Sequence, residues 1–195
     1  MWRWPRAEPA WPALVLWGAL ALAPARAALE ASMASHMLVQ LPLLALAGAW
    51  LARGRALPAA LAAALRGGVA GLVFFGFVMG LSMLPRVRDA AAQDARYEIA
   101  KFVLWPLAGA AVVHAWPRCP PLARVVVHVE VIATLLRFGW GYWASPQRLC
   151  ANYLIDDQAR TGAWLCALAA AYAVAAAWPA LFGRPRPSHA GDRRA

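Results

Sequence analysis

The fold class this sequence predicts is all-α: an integral membrane bundle of six transmembrane helices, a single domain over residues 1–183. Three observations carry that reading. First, 63% of the 195 residues are hydrophobic and 14% charged, against about 45–50% and 25% in ordinary soluble domains. A small soluble domain buries only about two-thirds of the surface its chain exposes, so this much apolar surface calls for lipid as the solvent. Second, six apolar stretches approach or reach the roughly 17–25 helical residues that cross a hydrocarbon core. Third, 18 of the 19 basic residues are Arg, and most flank the apolar runs instead of interleaving with aromatics. A net charge of +10 therefore reads as membrane topology, and nucleic acid is not expected as a partner.

The first stretch, near residues 11–27, has a second reading as the core of a signal peptide. Basic residues at 2–6, the run Leu14–Ala23 and small residues around Ala25 and Ala27 fit that pattern. Cleavage there would leave five spans. The second stretch lies near 36–52. A short Ala/Leu run, Leu57–Leu65, precedes the third and is expected as an interfacial segment or a tilted entry to the same helix. The third, near 67–84, holds Gly67 with Gly71 and Gly76 with Gly80. Such spacings let helix backbones approach in lipid, which predicts a central position for it. The remaining three lie near 101–117, 122–143 and 162–182, and residues 184–195 read as a disordered basic tail.

Orientation follows from Lys and Arg. With both termini cytoplasmic, the inner segments hold eleven basic residues against two acids, and the outer segments seven against six. The expected location is a bacterial inner membrane, with the bilayer itself as first partner. The three cysteines, Cys119, Cys150 and Cys166, fall at different depths and include no CxxC, so no disulfide framework is expected. Glycine-rich phosphate loops, GxSxG and HExxH are absent from the sequence, and no enzymatic activity is expected.

Three groups of residues carry chemistry. Met33, His36, Met37 and Gln40 stand at i, i+3, i+4 and i+7 at the outer mouth of the second span, one face of a helix. Met79 and Met83 are expected in the same layer. Thioethers with an imidazole suit a soft ion such as Cu(I), so Met33, His36, Met37, Met79 and Met83 are the candidate metal ligands; methionines also fill gaps between helices. Next, His128, Glu130 and Arg137 are polar positions inside the fifth span, where an ionisable group normally faces a partner or water. Glu130 is expected to point into the bundle and contact Arg137, His114 or His128, or a water near them. Finally, Asp156, Asp157 and Gln158 open the sixth span after a polar loop. They combine helix capping with a possible docking edge, near an aromatic belt of Trp140, Tyr142, Trp143 and Tyr153.

Two of these segments together resemble a family. Ser32-Met33-x-x-His36-Met37, entering a helix with Pro42-Leu43-Leu44 and Gly48, is similar to the start of bacterial cytochrome c oxidase assembly proteins of the CtaG type. Asp157-Gln158-Ala159-Arg160-Thr161-Gly162 is similar to that family's late Asp-Gln-Gln-x-x-Gly stretch, with Ala159 replacing a Gln, and Gln40 stands where the family usually has a second histidine. The resemblance covers about 40 of 195 residues. It implies a role in handling copper for the oxidase's external copper centre, carried by His36, Met37, Asp157 and Gln158. The implied partners are a haem-copper oxidase subunit or a periplasmic copper carrier. Two other functions fit the residues: an accessory structural subunit of a respiratory complex without metal, and a small transporter using His128, Glu130 and Arg137.

Overall fold

Three prolines decide how the apolar runs become helices. In the computed structural model, which describes residues 9–84, 87, 94–150 and 152–183, the chain begins with α1 (Trp11–Ala21) and α2 (Ala23–Glu30). These are bent by 67° at Leu22, whose extended backbone (ψ 135°) ends α1. Pro24 sits in the first turn of α2, the one place where a missing N–H costs a helix little. The expected first span is therefore a bent pair. Residues 1–8 of the alternative signal peptide, and the tail at 184–195, lie outside the described residues.

The second span begins as a single turn, α3 (Met33–Ser35), widens into a π-turn over His36–Gln40 and continues as α4 (Leu41–Ala52). Pro42 explains the widening. It cannot donate to the Leu38 carbonyl, and its ring would collide with that carbonyl in a regular helix. The chain instead closes a longer ring, with the Leu41 N–H donating to the His36 carbonyl.

After the short α5 (Ala59–Ala64) come α6 (Val69–Met83), α7 (Ala95–Ala115), α8 (Pro121–Ala144) and α9 (Ile155–Phe182). Pro106 lies inside α7 and leaves the Phe102 carbonyl without its helical donor. The indole N–H of Trp17 on α1 fills that vacancy at 3.0 Å. The α1 helix is thereby tied to α7 while it packs on α4.

Glycines bring the helices together, but mostly not those expected. A Cβ on Gly48 of α4 would stand 1.9 Å from the Pro106 carbonyl oxygen, and one on Gly109 of α7 would stand 1.9 Å from the Ala45 oxygen. The α4 and α7 backbones are thus in reciprocal contact. A second crossing joins α8 to α9, where a Cβ on Gly162 would meet the Gly139 oxygen at 2.5 Å. Of the α6 spacings, only Gly71 is tight, against Ala115; Gly67, Gly76 and Gly80 have nothing within 4 Å. The expectation that both α6 pairs drive close packing is corrected: the outer pair faces outward.

The described residues form helices and connecting turns without a strand. Three helical segments are long and apolar enough to cross a membrane, Met33–Ala52, Ala95–Arg118 and Ile155–Trp178, or four if the bent α1–α2 pair counts as one. The six spans read from the sequence are not all of that kind. With 15 residues, α6 extends only about 22 Å at 1.5 Å per residue, and α8 carries Arg124, Glu130 and Arg137. Large apolar side chains such as Val73, Phe77, Ile99 and Val174 stand on the outer surface, a periphery suited to lipid.

Candidate functional site

Soft and polar side chains gather at one end of the bundle, where α3, the end of α6 and the starts of α7 and α9 meet. Ser32 caps α3, its hydroxyl accepting from the Ser35 N–H at 3.0 Å. Beside it the Met33 N–H donates to Asp157 Oδ2 at 2.5 Å. The two stretches that carry the family resemblance therefore touch, although far apart in sequence.

Met33, His36, Met37 and Gln40 are all buried, as are Met79 and Met83 on α6. The four methionines belong to one continuous hydrophobic cluster, together with Tyr142 and Cys150. The Tyr142 hydroxyl donates to the Met83 carbonyl, one of the carbonyls that the end of α6 leaves without a helical donor. All three cysteines are free thiols.

A chain of polar contacts holds His36. Lys101 Nζ donates to Glu30 Oε1 at 2.5 Å, the Gln40 amide nitrogen donates to the same oxygen at 3.1 Å, and Gln40 Oε1 stands 2.6 Å from His36 Nδ1. The order of these bonds fixes proton positions. Because Gln40 spends its N–H on Glu30, it offers His36 only an acceptor, so Nδ1 carries the hydrogen. In a neutral imidazole the lone pair then resides on Nε2. Glu30 is the last residue of α2, past the apolar stretch near residues 11–27. Burial pushes its carboxyl upward, but the Lys101 hydrogen bond and charge, followed by the Gln40 hydrogen bond, outweigh that and bring it below the ordinary carboxylate value. A second ion pair, Arg26–Glu98 at 2.9 Å, also ties α2 to α7.

His36 also lines a cavity of about 260 Å³, walled mainly by Val78, Leu81, Leu104 and Trp105, with Tyr97 and Lys101 at its polar edge. Ser82 closes one side, accepting from Trp105 Nε1 at 3.0 Å and donating to the Val78 carbonyl at 2.7 Å.

The other two groups are placed differently from expectation. Of the docking trio, Asp156 is exposed, Asp157 is half-buried and engaged by Met33, and Gln158 is buried. Gln158 accepts from the Leu149 N–H at 2.8 Å and donates to the Gln147 and Tyr142 carbonyls at 3.2 and 3.3 Å. It is a strut for the loop before α9, so any docking edge reduces to Asp156 and the rim of Asp157. Among the intramembrane polar residues, His128 faces α9, with Nδ1 2.7 Å from the Tyr172 hydroxyl and its ring edge-on to Trp116. Glu130 does not point into the bundle. It lies on the outer face of α8, accepting from Thr134 at 3.3 Å and paired with Arg137 at 3.7 Å. Seven residues separate their backbones by about 10 Å along the axis, and the long Arg137 side chain spans that distance without a bridging water. His128 and Glu130, two residues apart, point to different faces, so they do not form a continuous proton path. His114 lines a separate cavity with Leu61 and Phe74.

Among the described residues, no three His, Cys, Asp or Glu side chains converge as a metal-binding group. A metal at this end would depend on thioethers, with His36 as the single nitrogen donor. No family model matches the chain, and no curated protein or solved structure matches it either.

Sequence reasoning did not single out Glu30 and Lys101, which it counted only as loop charges. One signal was available: Lys101 is the sole lysine among 19 basic residues, at the mouth of an apolar run. A compact ammonium on a flexible stem makes a single-point contact, where a forked guanidinium favours a bidentate one.

Proposed function

We propose that the protein is a non-enzymatic assembly factor of a bacterial cytoplasmic membrane that handles Cu(I) on the outer side for a haem-copper oxidase. The observation that carries this reading is the orientation of His36. The Lys101–Glu30–Gln40 chain sets the tautomer with its lone pair on Nε2, the way a second layer of hydrogen bonds orients a ligating histidine. Gln40, standing where the resembled family usually has a second histidine, thus becomes the orienting group. Thioether and imidazole donors bind a soft monovalent ion and discriminate against hard cations. The cavity beside His36 supplies an approach for the ion, which is cargo and passes on to a periplasmic copper carrier or an oxidase subunit docked near Asp156.

In this reading the chain crosses the membrane six times with both termini cytoplasmic, α6 and α8 completing the bundle around the longer apolar helices. The excess of basic residues on one side supports that orientation. The test is a Cu(I) titration of purified protein against a competing chelator. Wild type is expected to bind one ion, and Met33→Leu/His36→Ala/Met37→Leu to lose it. Equal binding by both removes the site and favours an accessory subunit without metal.

A further inference from the structure

The outer face of α8 carries two charges that the described residues of its own bundle leave largely uncovered. Glu130 and Arg137 side chains are 62% and 70% exposed, in the middle of a helix of 24 residues that packs along its length on α9, itself apolar enough to span. Charged groups at that depth almost always face protein or a water-filled space. From the geometry of this face we infer that its partner is a second copy of this chain, packed α8 against α8 about a two-fold axis along the membrane normal.

Three features select a copy over an unrelated helix. The face is electrically self-complementary, with one carboxylate and one guanidinium. Because Arg137 reaches back to Glu130, both charges lie near the level of Ala133, midway between them. A two-fold axis running beside them sets two carboxylates and two guanidiniums, all at that one level, in an alternating square, each carboxylate between its own arginine and the partner copy's, an isologous contact. Second, Val126, Glu130, Ala133, Arg137 and Trp140 follow a 4-3-4-3 spacing, the seam along which parallel helices interlock, with Val126 and Trp140 both exposed. Third, Ala133 at the centre is small enough to let the helices approach. Copies inserted with the same orientation are parallel, as this arrangement requires.

The test is the oligomeric state of the full chain in lipid nanodiscs and mild detergent, with two differently tagged versions co-expressed. Wild type is expected to co-purify with itself as a dimer. Glu130→Arg and Arg137→Glu each place four like charges in the square, so each should lose self-association at least tenfold, while a Glu130→Arg chain paired with an Arg137→Glu chain should associate again. The neutral pair Glu130→Gln/Arg137→Gln covers the case in which a charge reversal fails to insert. It should insert normally and shift the monomer–dimer balance toward monomer. Monomeric wild type at every protein-to-lipid ratio overturns the inference, as does self-association that the charge reversals leave unchanged.

Discussion

The reciprocal glycine contact between α4 and α7 makes a quantitative prediction. In Gly48→Ala the new Cβ would lie 1.9 Å from the Pro106 carbonyl oxygen, where real contacts stay above 3.0 Å. The helices must therefore part by about 1.1 Å, because a backbone carbonyl cannot swing aside like the end of a side chain. A gap of about 0.5–1 Å forfeits a quarter to a half of each dispersion contact along the seam, and overpacking of a tight interior costs about 1–3 kcal/mol. The rigid contact places Gly48→Ala at the upper end, about 3 kcal/mol or roughly a hundredfold in the unfolding equilibrium. Gly109→Ala meets the Ala45 oxygen at the same 1.9 Å and should cost a similar amount. The double variant should cost less than the sum, since helices already parted accept the second methyl more easily. Reversible SDS unfolding in mixed micelles, followed by tryptophan fluorescence, reads these differences. Gly76→Ala and Gly80→Ala, with nothing within 4 Å, are the controls and should cost nothing. A Gly48→Ala curve that overlays Gly76→Ala would refute the close crossing.

Trp17→Phe removes the donor to the Phe102 carbonyl and should cost about 1–3 kcal/mol, the penalty for a buried acceptor left unpaired. Pro106→Ala restores the helical N–H to that carbonyl, so Trp17→Phe should cost much less in the Pro106→Ala background; equal costs in a double-mutant cycle would argue against the link. The Glu30 carboxyl lies below its ordinary value in the folded chain, so its contribution to stability is complete above the unfolded carboxylate range, about pH 4.3. It is lost as pH falls through the folded value. Melting curves between pH 3 and 7 should show this loss in wild type and a flatter profile in Glu30→Gln. Gln158→Ala should loosen the loop before α9, read as faster hydrogen exchange at Leu149, whose N–H donates to Gln158; unchanged exchange would show that another acceptor holds it.

Much of the architecture was legible because long apolar helices announce themselves by length and composition. The apolar runs became helices at nearly the expected places, and Pro24 broke the first where a proline is able to. Legibility failed where composition stood in for geometry. Gly67, Gly71, Gly76 and Gly80 looked like a packing seam, yet spacing alone does not say which side of a helix meets a neighbour; only Gly71 closes on one, and the other seams formed at Gly48, Gly109, Gly139 and Gly162. Glu130 was expected inward on the cost of a bare charge in lipid. Its i+7 neighbour lies on the same face, so the pair partly neutralises itself while remaining on the outside. At the candidate site, the shared face of Met33, His36, Met37 and Gln40 was readable from helical periodicity. The anchor of Gln40 on Glu30 and Lys101 was not, because it ties the π-turn to α2 and α7, the Lys101–Glu30 contact across 71 residues. No local pattern encodes a contact of that range.

The proposed soft-ion site joins His36, pre-oriented through Gln40, to Met33, Met37, Met79 and Met83. X-ray absorption at the copper edge of Cu(I)-loaded protein addresses it most directly. Sulfur scatterers with one nitrogen scatterer are expected at the ion, the nitrogen lost in His36→Ala, and weaker binding with unchanged ligand types in Gln40→Ala. A spectrum without sulfur scatterers, or one that His36→Ala leaves unaltered, would contradict it.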